Sequence, residues 1–307
     1  MIDLNPRSGR WPRAVAPLFL AILAATTLGS ATVAAAGPEP APMVLQNVSL
    51  ADIVANKRGI CNGGFTHVIK NGAGANNVKN YLNAAQTCGL KVILHFPETV
   101  NHTTGTVYPA KVAYWVGLVK AHPNLYGYLT VKEPSWNRIS AAEIRSLYAA
   151  FKKADPGHPV VAIFGDIPHF NLSANPYSSG MANIAIFDWY PVETANGGCS
   201  RSGTSYITTG PKWYGRIRAV LAAESPRTVP WLMIQTHKYL APTCHKKQLP
   251  TEAQLRRQVS DGLTYLKATG IAFHVFENTN YDMDQRRHTY MLRWMRTIAN
   301  QVHAGTF

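Results

Sequence analysis

Polar residues that could do chemistry recur just past short apolar runs of the chain. His95 and Glu98 follow one run, and Lys132-Glu133-Pro134-Ser135-Trp136 close another. Asp166 ends a third run, and Asp188-Trp189-Tyr190-Pro191, with Glu193 close behind, ends a fourth. Gln235, His237, Lys238 and Tyr239 end the next, and Glu277-Asn278, followed by Tyr281 and Asp282, the last. Carboxylates, amides and aromatic rings around one mouth suit a sugar: rings stack on the apolar side of a pyranose, and carboxylates and amides bind its hydroxyls. Cleaving a glycosidic bond calls for two carboxyl groups, one to protonate the leaving oxygen and one to attack the anomeric carbon or activate water. Glu133, Asp188 and Glu277 are the candidates for that pair. His95, Gln235 and His237 could hold hydroxyls, and Trp136, Trp189, Tyr190 and Tyr239 could offer contact faces. Each has a plainer alternative. Glu133 could only pair with Lys132, Asp188 could bond loop amides near Pro191, Glu277 could meet an arginine, and the histidines and rings could be core. His95, His237, His245 and His274 lack tight metal spacing. H-E-x-x-H, zinc cysteine pairs, a phosphate loop and G-x-S-x-G are absent from the sequence, so no metal or cofactor is expected.

The elements that must carry these residues alternate as βαβα. Strands are predicted at 43–47, 65–70, 91–96, 125–133, 159–166, 184–191, 231–237 and 271–278. Eight of them favour a closed single (β/α)8 TIM barrel, an α/β fold whose functional residues collect at the C-terminal strand ends. Between them, a helix over 76–87 carries Val78, Leu82 and Ala85 on one stripe and stops at Gly89. Ser140 with Glu143 three residues on is a capping box, and Ile144, Leu147, Tyr148 and Phe151 follow at helical spacing. Thr251 opens a helix that Gly270 ends, and the last helix holds Tyr290, Met291, Trp294 and Ile298. The crossover between Asp166 and Ile184 is Pro- and Ser-rich, with a short helix at most.

Hydrophobic residues make up 46% of the 307 and charged residues 15%, which excludes disorder for most of the chain. Residues 1–36 read as a signal peptide: Arg7, Arg10 and Arg13, an apolar stretch from Ala14, and a small-x-small site at Ala34 and Ala36. The alternative is an uncleaved membrane anchor. Residues 37–42 form a Pro-rich leader, and 43–307 are the barrel domain. The formal charge is +14, and cleavage after Ala36 removes three arginines and Asp3, leaving +12. A basic surface outside the cell fits contact with anionic polymers or lipids, or serves solubility alone. No nucleic-acid module is recognisable.

Four cysteines in an exported chain imply two disulfides. Cys61 and Cys88 both sit at a helix end just before a strand, in consecutive units, so both belong to the bottom rim. Cys199 and Cys244 follow the sixth and seventh strands, so both belong to neighbouring top loops. Cross-pairing would span the barrel, so the expected bridges are Cys61–Cys88 and Cys199–Cys244.

The stretch LYGYLTVKEPSWNRISAAEIRSLYAAFKKADPGHPV at 125–160 resembles the fourth βα unit of clan-A-type glycoside hydrolase barrels. In that clan the Glu of Asn-Glu-Pro closes strand four as general acid/base, and Glu133 matches it. The DWYP at Asp188–Pro191 also looks like the sixth strand of such proteins, and the resemblance is strongest over about residues 80–275. It implies a secreted protein acting on a poly- or oligosaccharide. Two positions depart from the pattern. Lys132 replaces the Asn or Asp, and a cation there should lower the Glu133 pKa. Gln235 stands where strand seven should offer the nucleophilic Glu, and an amide cannot serve. Three functional readings follow: a hydrolase outside the retaining two-Glu kind, with Asp188, Glu193 or Glu277 as its second carboxylate; an idle barrel that binds a polysaccharide; or a structural envelope protein held by its charge. The disulfide pairing is checked by non-reducing peptide mapping, where any peptide linking Cys61 or Cys88 to Cys199 or Cys244 overturns the barrel register.

Overall fold

A computed structural model describes residues 41–72, 74–101, 103–134, 139–165, 177, 179–194, 204–239, 249–274, 281–282 and 289–307. Side chains at 57–58, 193–194, 204–206, 238–239 and 281–282 are not among those described. The predicted signal peptide, Cys199 and Cys244 lie outside the described residues. Eight parallel strands close into one barrel. They are β1 (Met43–Gln46), β2 (His67–Asn71), β3 (Lys91–His95), β4 (Leu125–Lys132), β5 (Val160–Phe164), β6 (Ile184–Trp189), β7 (Val229–Gln235) and β8 (Gly270–His274). Each pairs with its chain neighbours, and β8 pairs back onto β1 through Met43 beside Ile271. The expected (β/α)8 architecture is therefore the observed one.

Seven α-helices are described around the strands: α1 (Leu50–Val54), α2 (Ala75–Thr87), α3 (Pro109–Val119), α4 (Ala141–Ala154), α5 (Gly210–Glu224), α6 (Glu252–Asp261) and α7 (Thr289–His303). Local chemistry sets their starts. The Ser140 hydroxyl accepts from the Glu143 amide while the Glu143 carboxylate accepts from the Ser140 amide. Thr251 and Gln254 repeat this reciprocal cap at α6. The helix opened by Thr251, α6, ends earlier than the expected Gly270: after Asp261 the chain makes a wider turn, Gly262–Leu266, and Lys267 reverses it at φ +55°. The inner faces of α2, α4 and α7 bury Leu82, Leu147 and Ile298 against the outward residues of the strands. Among the described residues no helix is long and apolar enough to cross a membrane.

The bottom rim is closed covalently. Cys61 lies in the turn before β2 and Cys88 caps α2, and their Cα atoms are 4.7 Å apart in a disulfide, as the helix-end argument expects. Inside the barrel the side chains form a separate apolar plug that includes Val44, Ile69, Ile93, Leu129, Ile186 and Met233. Its floor is aromatic. His67 meets Tyr126 edge-on at 4.4 Å, and Tyr126 stacks on Trp231 at 5.9 Å.

His67 is 7% exposed, and burial, aided by Lys91, brings its pKa down from 6.5 to about 4. The unfolded chain therefore takes up a proton near pH 6.5 and the folded one only near 4. Between those values protons favour the unfolded state, so this contribution is intact above 6.5 and falls by roughly 3 kcal/mol as pH drops to 4. Denaturant titrations of wild type and His67→Phe at pH 7 and pH 4.5 test it. The wild type should lose more stability across that interval than the variant, and equal losses in both would refute the assignment.

Candidate functional site

The polar layer at the top of the barrel follows from the two-residue period of a strand. Val44, Ile69, Ile93, Ile163, Ile186, Met233 and Ala272 point into the plug. Two residues further along come Gln46, Asn71, His95, Gly165, Asp188, Gln235 and His274, the inward layer at the C-terminal ends. Strand β4 breaks the count. From Leu129 the alternation would send Val131 and Glu133 inward. The register with β5 shifts between Leu129 and Val131, so that Lys132 pairs with the inward Ile163. Val131 joins the outer core instead. One extra residue thus turns Lys132 into the barrel mouth.

Glu133, the next residue, would then face away from the axis. Its backbone does not continue the strand: φ is +43°, in the left-handed region that costs a non-glycine residue on the order of 1–3 kcal/mol. Its amide still donates to Ile163 O at 2.7 Å, so the reversal begins at the carboxyl-bearing residue itself. The side chain comes to rest over Gly165 on β5. A Cβ at Gly165 would stand 2.9 Å from Glu133 Cγ and 3.0 Å from Oε1, closer than such contacts permit. Glycine there is what makes room for the carboxyl.

In this position Glu133 is hydrogen-bonded to Asp188 and lies in the field of Lys132. A hydrogen bond between two carboxyl groups requires a proton on one of them. Burial pushes Glu133 above its ordinary value, while the Lys132 ammonium and the Asp188 hydrogen bond pull it back. Burial likewise brings Lys132 down to about 8, against the pull of Glu133 and Asp188. The effect expected of Lys132 on Glu133 is present, but desolvation exceeds it. Asp188 is held from a second side as well, because the Tyr190 hydroxyl donates to its Oδ2 at 2.9 Å.

Tyr190 stacks on His274 at 5.2 Å and meets His237 edge-on at 4.7 Å. The His274 Nδ1 donates to the Gln46 side-chain oxygen, and the His237 Nδ1 donates to the His274 carbonyl at 3.1 Å. Carbonyl partners assign the proton to Nδ1 in both rings. Burial, His237 and Lys132 hold His274 well below the usual histidine value, so it stays neutral.

The predicted site residues divide accordingly. Glu133, Asp188 and Tyr190 come together, with His237 beside them. His95 is buried at the end of β3, in register with Asn71. Gln235 is fully buried; its Oε1 accepts from Val192 N at 2.8 Å and its Nε2 donates to the Val192 and His237 carbonyls at 3.0 Å each. Trp189 points outward by alternation and packs beside Gly210 at the start of α5. Trp136, Glu277, Asp166 and the side chains of Glu193 and Tyr239 lie outside the described residues. Gln46, Gly165 and His274 belong to the site and were not chosen from sequence, although counting by two from the apolar runs would have reached all three. Among the described residues no three His, Cys, Asp or Glu side chains converge as metal ligands.

No protein-family profile matches the chain, and no curated protein sequence matches it. Solved structures share its barrel. The β-galactosidase from the psychrophilic Marinomonas ef1 aligns with a TM-score of 0.64 at 10% identity, over 85% of this chain and 59% of that one. GH5_18 from Streptomyces cattleya, in complex with GlcNAc, aligns at 0.60 and 13% identity, over 86% and 80%. A family 39 glycoside hydrolase from Bacteroides cellulosilyticus WH2 aligns at 0.56 and 13% identity, over 86% and 63%. The chain thus spans less than two thirds of the Marinomonas and Bacteroides proteins. The likeness is one of fold: this is the barrel that those glycoside hydrolases use.

If Gly165 makes room for Glu133, Gly165→Ala should separate the two carboxyls. Carboxyl-resolved 13C NMR titration should show Glu133 and Asp188 as one coupled pair in the wild type and as two independent groups in the variant. Unchanged coupling in a folded Gly165→Ala protein would remove glycine's assigned part.

Proposed function

We propose that this chain is an exported, glycan-acting barrel of the glycoside hydrolase type, with Glu133 as its general acid. The observation that carries the reading is the place of Glu133 at the barrel mouth, turned over Gly165 and beside Asp188, where desolvation raises its carboxyl above the ordinary value. A half-buried carboxyl raised above its ordinary value is better suited than a free one to give a proton to a leaving oxygen. Strain at φ +43° and a glycine cleared of side chain are spent on holding that one group. Asp188 acts with Glu133 as its proton partner. Glu277 remains the candidate for a carboxylate across the cleft, and His95, His237, Trp136 and Tyr239 remain candidates for sugar contact. Residues 1–36 would direct export, 37–42 would link, and the disulfide at Cys61–Cys88 suits an oxidising compartment. The basic surface would favour anionic polymers.

A second reading has its own support. Lys132 balances the charge of the carboxyl pair, and the Gln235 amide is used internally where a nucleophile would stand. Both suit a barrel that binds a glycan without cutting it.

Glu133→Gln keeps the shape and removes the donor. On an unactivated polysaccharide kcat should fall about 10²–10⁴-fold with binding little changed, and less on an aryl glycoside, which needs less protonation. Hydrolysis that survives unchanged on both substrates would end the assignment. Binding without cleavage across a broad glycan panel would move the protein to the second reading.

A further inference from the structure

We propose that the first two turns of α5 form a glycan-binding platform beside the barrel mouth, where Lys212, Trp213 and Arg216 take the carboxylates of a uronic-acid chain. The inference rests on the reading of the protein as glycan-acting, and adds the chemistry of the chain and the surface that receives it. Lys212 and Arg216 stand four residues apart and so share a face of α5, and Trp213 lies three residues before Arg216. The Lys212 Nζ is 5.5 Å from the centre of the Trp213 ring, and the Arg216 Cζ is 6.0 Å from it. Two like charges repel each other. The ring holds them together, with about 0.5–1 kcal/mol for each exposed cation. Trp213 is half-buried and packs against the core, so the platform has a fixed base.

The next helix in the chain treats its cations differently. On α6, Arg256 meets Glu252 at 2.9 Å and Arg257 meets Asp261 at 3.8 Å, each pair four residues apart. On α5 the other positions three or four residues from Lys212 and Arg216 hold Thr208, Thr209, Gly215, Ala219 and Val220, and none is acidic. Among the described residues neither cation has a carboxylate partner. Their charge is therefore free to meet an anion from outside.

The place of the platform points to its occupant. Gly210, the first residue of α5, lies against Trp189, since a Cβ there would stand 3.4 Å from the indole Nε1. Trp189 follows Asp188 at the end of β6. A glycan chain that leaves the mouth over β6 thus reaches α5 at Lys212 and Arg216. The Arg216 guanidinium offers the paired N–H groups that match a carboxylate, and Lys212 offers a point charge to a second one. The formal charge of +14 draws a polyanion toward the surface. A lipid surface fits less well, because a helix that enters one presents large apolar side chains. Among the described residues those exposed are Val54, Tyr114, Val229, Tyr265 and Phe307, none of them on α5.

The test is calorimetric binding of the full-length protein to an oligogalacturonate and to the methyl ester of the same oligosaccharide, which keeps the sugars and removes the charge. The free acid should bind about tenfold more tightly or better, and Lys212→Gln/Arg216→Gln should abolish that preference. Trp213→Phe, which keeps the core filled but holds the cations less well, should lose part of it. The preference should fade at about 1 M salt, where screening reaches only about 3 Å. Lys120→Gln/Lys153→Gln removes the same charge from the ends of α3 and α4 and should leave the preference in place. An equal loss in that control means that net charge alone attracts the chain, and overturns the inference. Equal affinity for acid and ester, or a preference that survives Lys212→Gln/Arg216→Gln, overturns it and leaves the glycan-acting reading standing. Tighter binding to phosphatidylglycerol vesicles than to the oligogalacturonate, lost in the same double variant, assigns α5 to lipid and overturns it as well. Failure to bind any glycan, charged or neutral, overturns both.

Discussion

The charge held at the mouth of the barrel depends on the register shift in β4. Without it Glu133 would enter the inward layer by simple alternation and Lys132 would face the helices. With it a lysine stands inside the barrel top, and the glutamate reaches the same space only by leaving the extended backbone. The arrangement needs compensation nearby, and Gly165 supplies the space while Ile163 O keeps the Glu133 amide bonded. A strain of a few kcal/mol is small beside the cost of moving an unpaired charge into the same place.

The electrostatics then close on themselves. Glu133, Asp188 and Lys132 lie in one another's field, and the attraction between the lysine and the carboxyls opposes the effect of burial on each. Burial alone would neutralise each group separately, raising the carboxyl and lowering the lysine, and both displacements are present. The mutual attraction opposes them. His274 adds no charge to this balance, being kept neutral by its surroundings.

Much of this architecture could be read from sequence because it depends on local periodicity. Apolar runs located the eight strands, the Ser140 and Thr251 caps located two helix starts, and helix-end positions identified the Cys61–Cys88 bridge. The polar strand ends were also visible, since they follow the runs directly. What could not be read was which of two adjacent residues faces inward. The step from Leu129 to Lys132 looks like uninterrupted strand, and the extra residue shows only in the pairing with Ala162 and Ile163. Gln235 posed the opposite difficulty. Its identity announced a missing nucleophile, yet its three internal bonds come from the chain folding back at Val192 and His237, a long-range event without a local signature.

The top layer is thus unevenly committed. Around β7, β8 and β1, Gln235, His237, His274 and Gln46 bond one another or nearby backbone, and they act as a rigid wall. Across β4, β5 and β6 the layer holds a strained glutamate, a glycine and an aspartate. Tyr190 is stacked on His274 with its hydroxyl on Asp188. The bonded side of the mouth thus positions the Asp188 carboxyl through the Tyr190 ring. His274 bears on the Asp188 carboxyl through the Tyr190 ring that it stacks against.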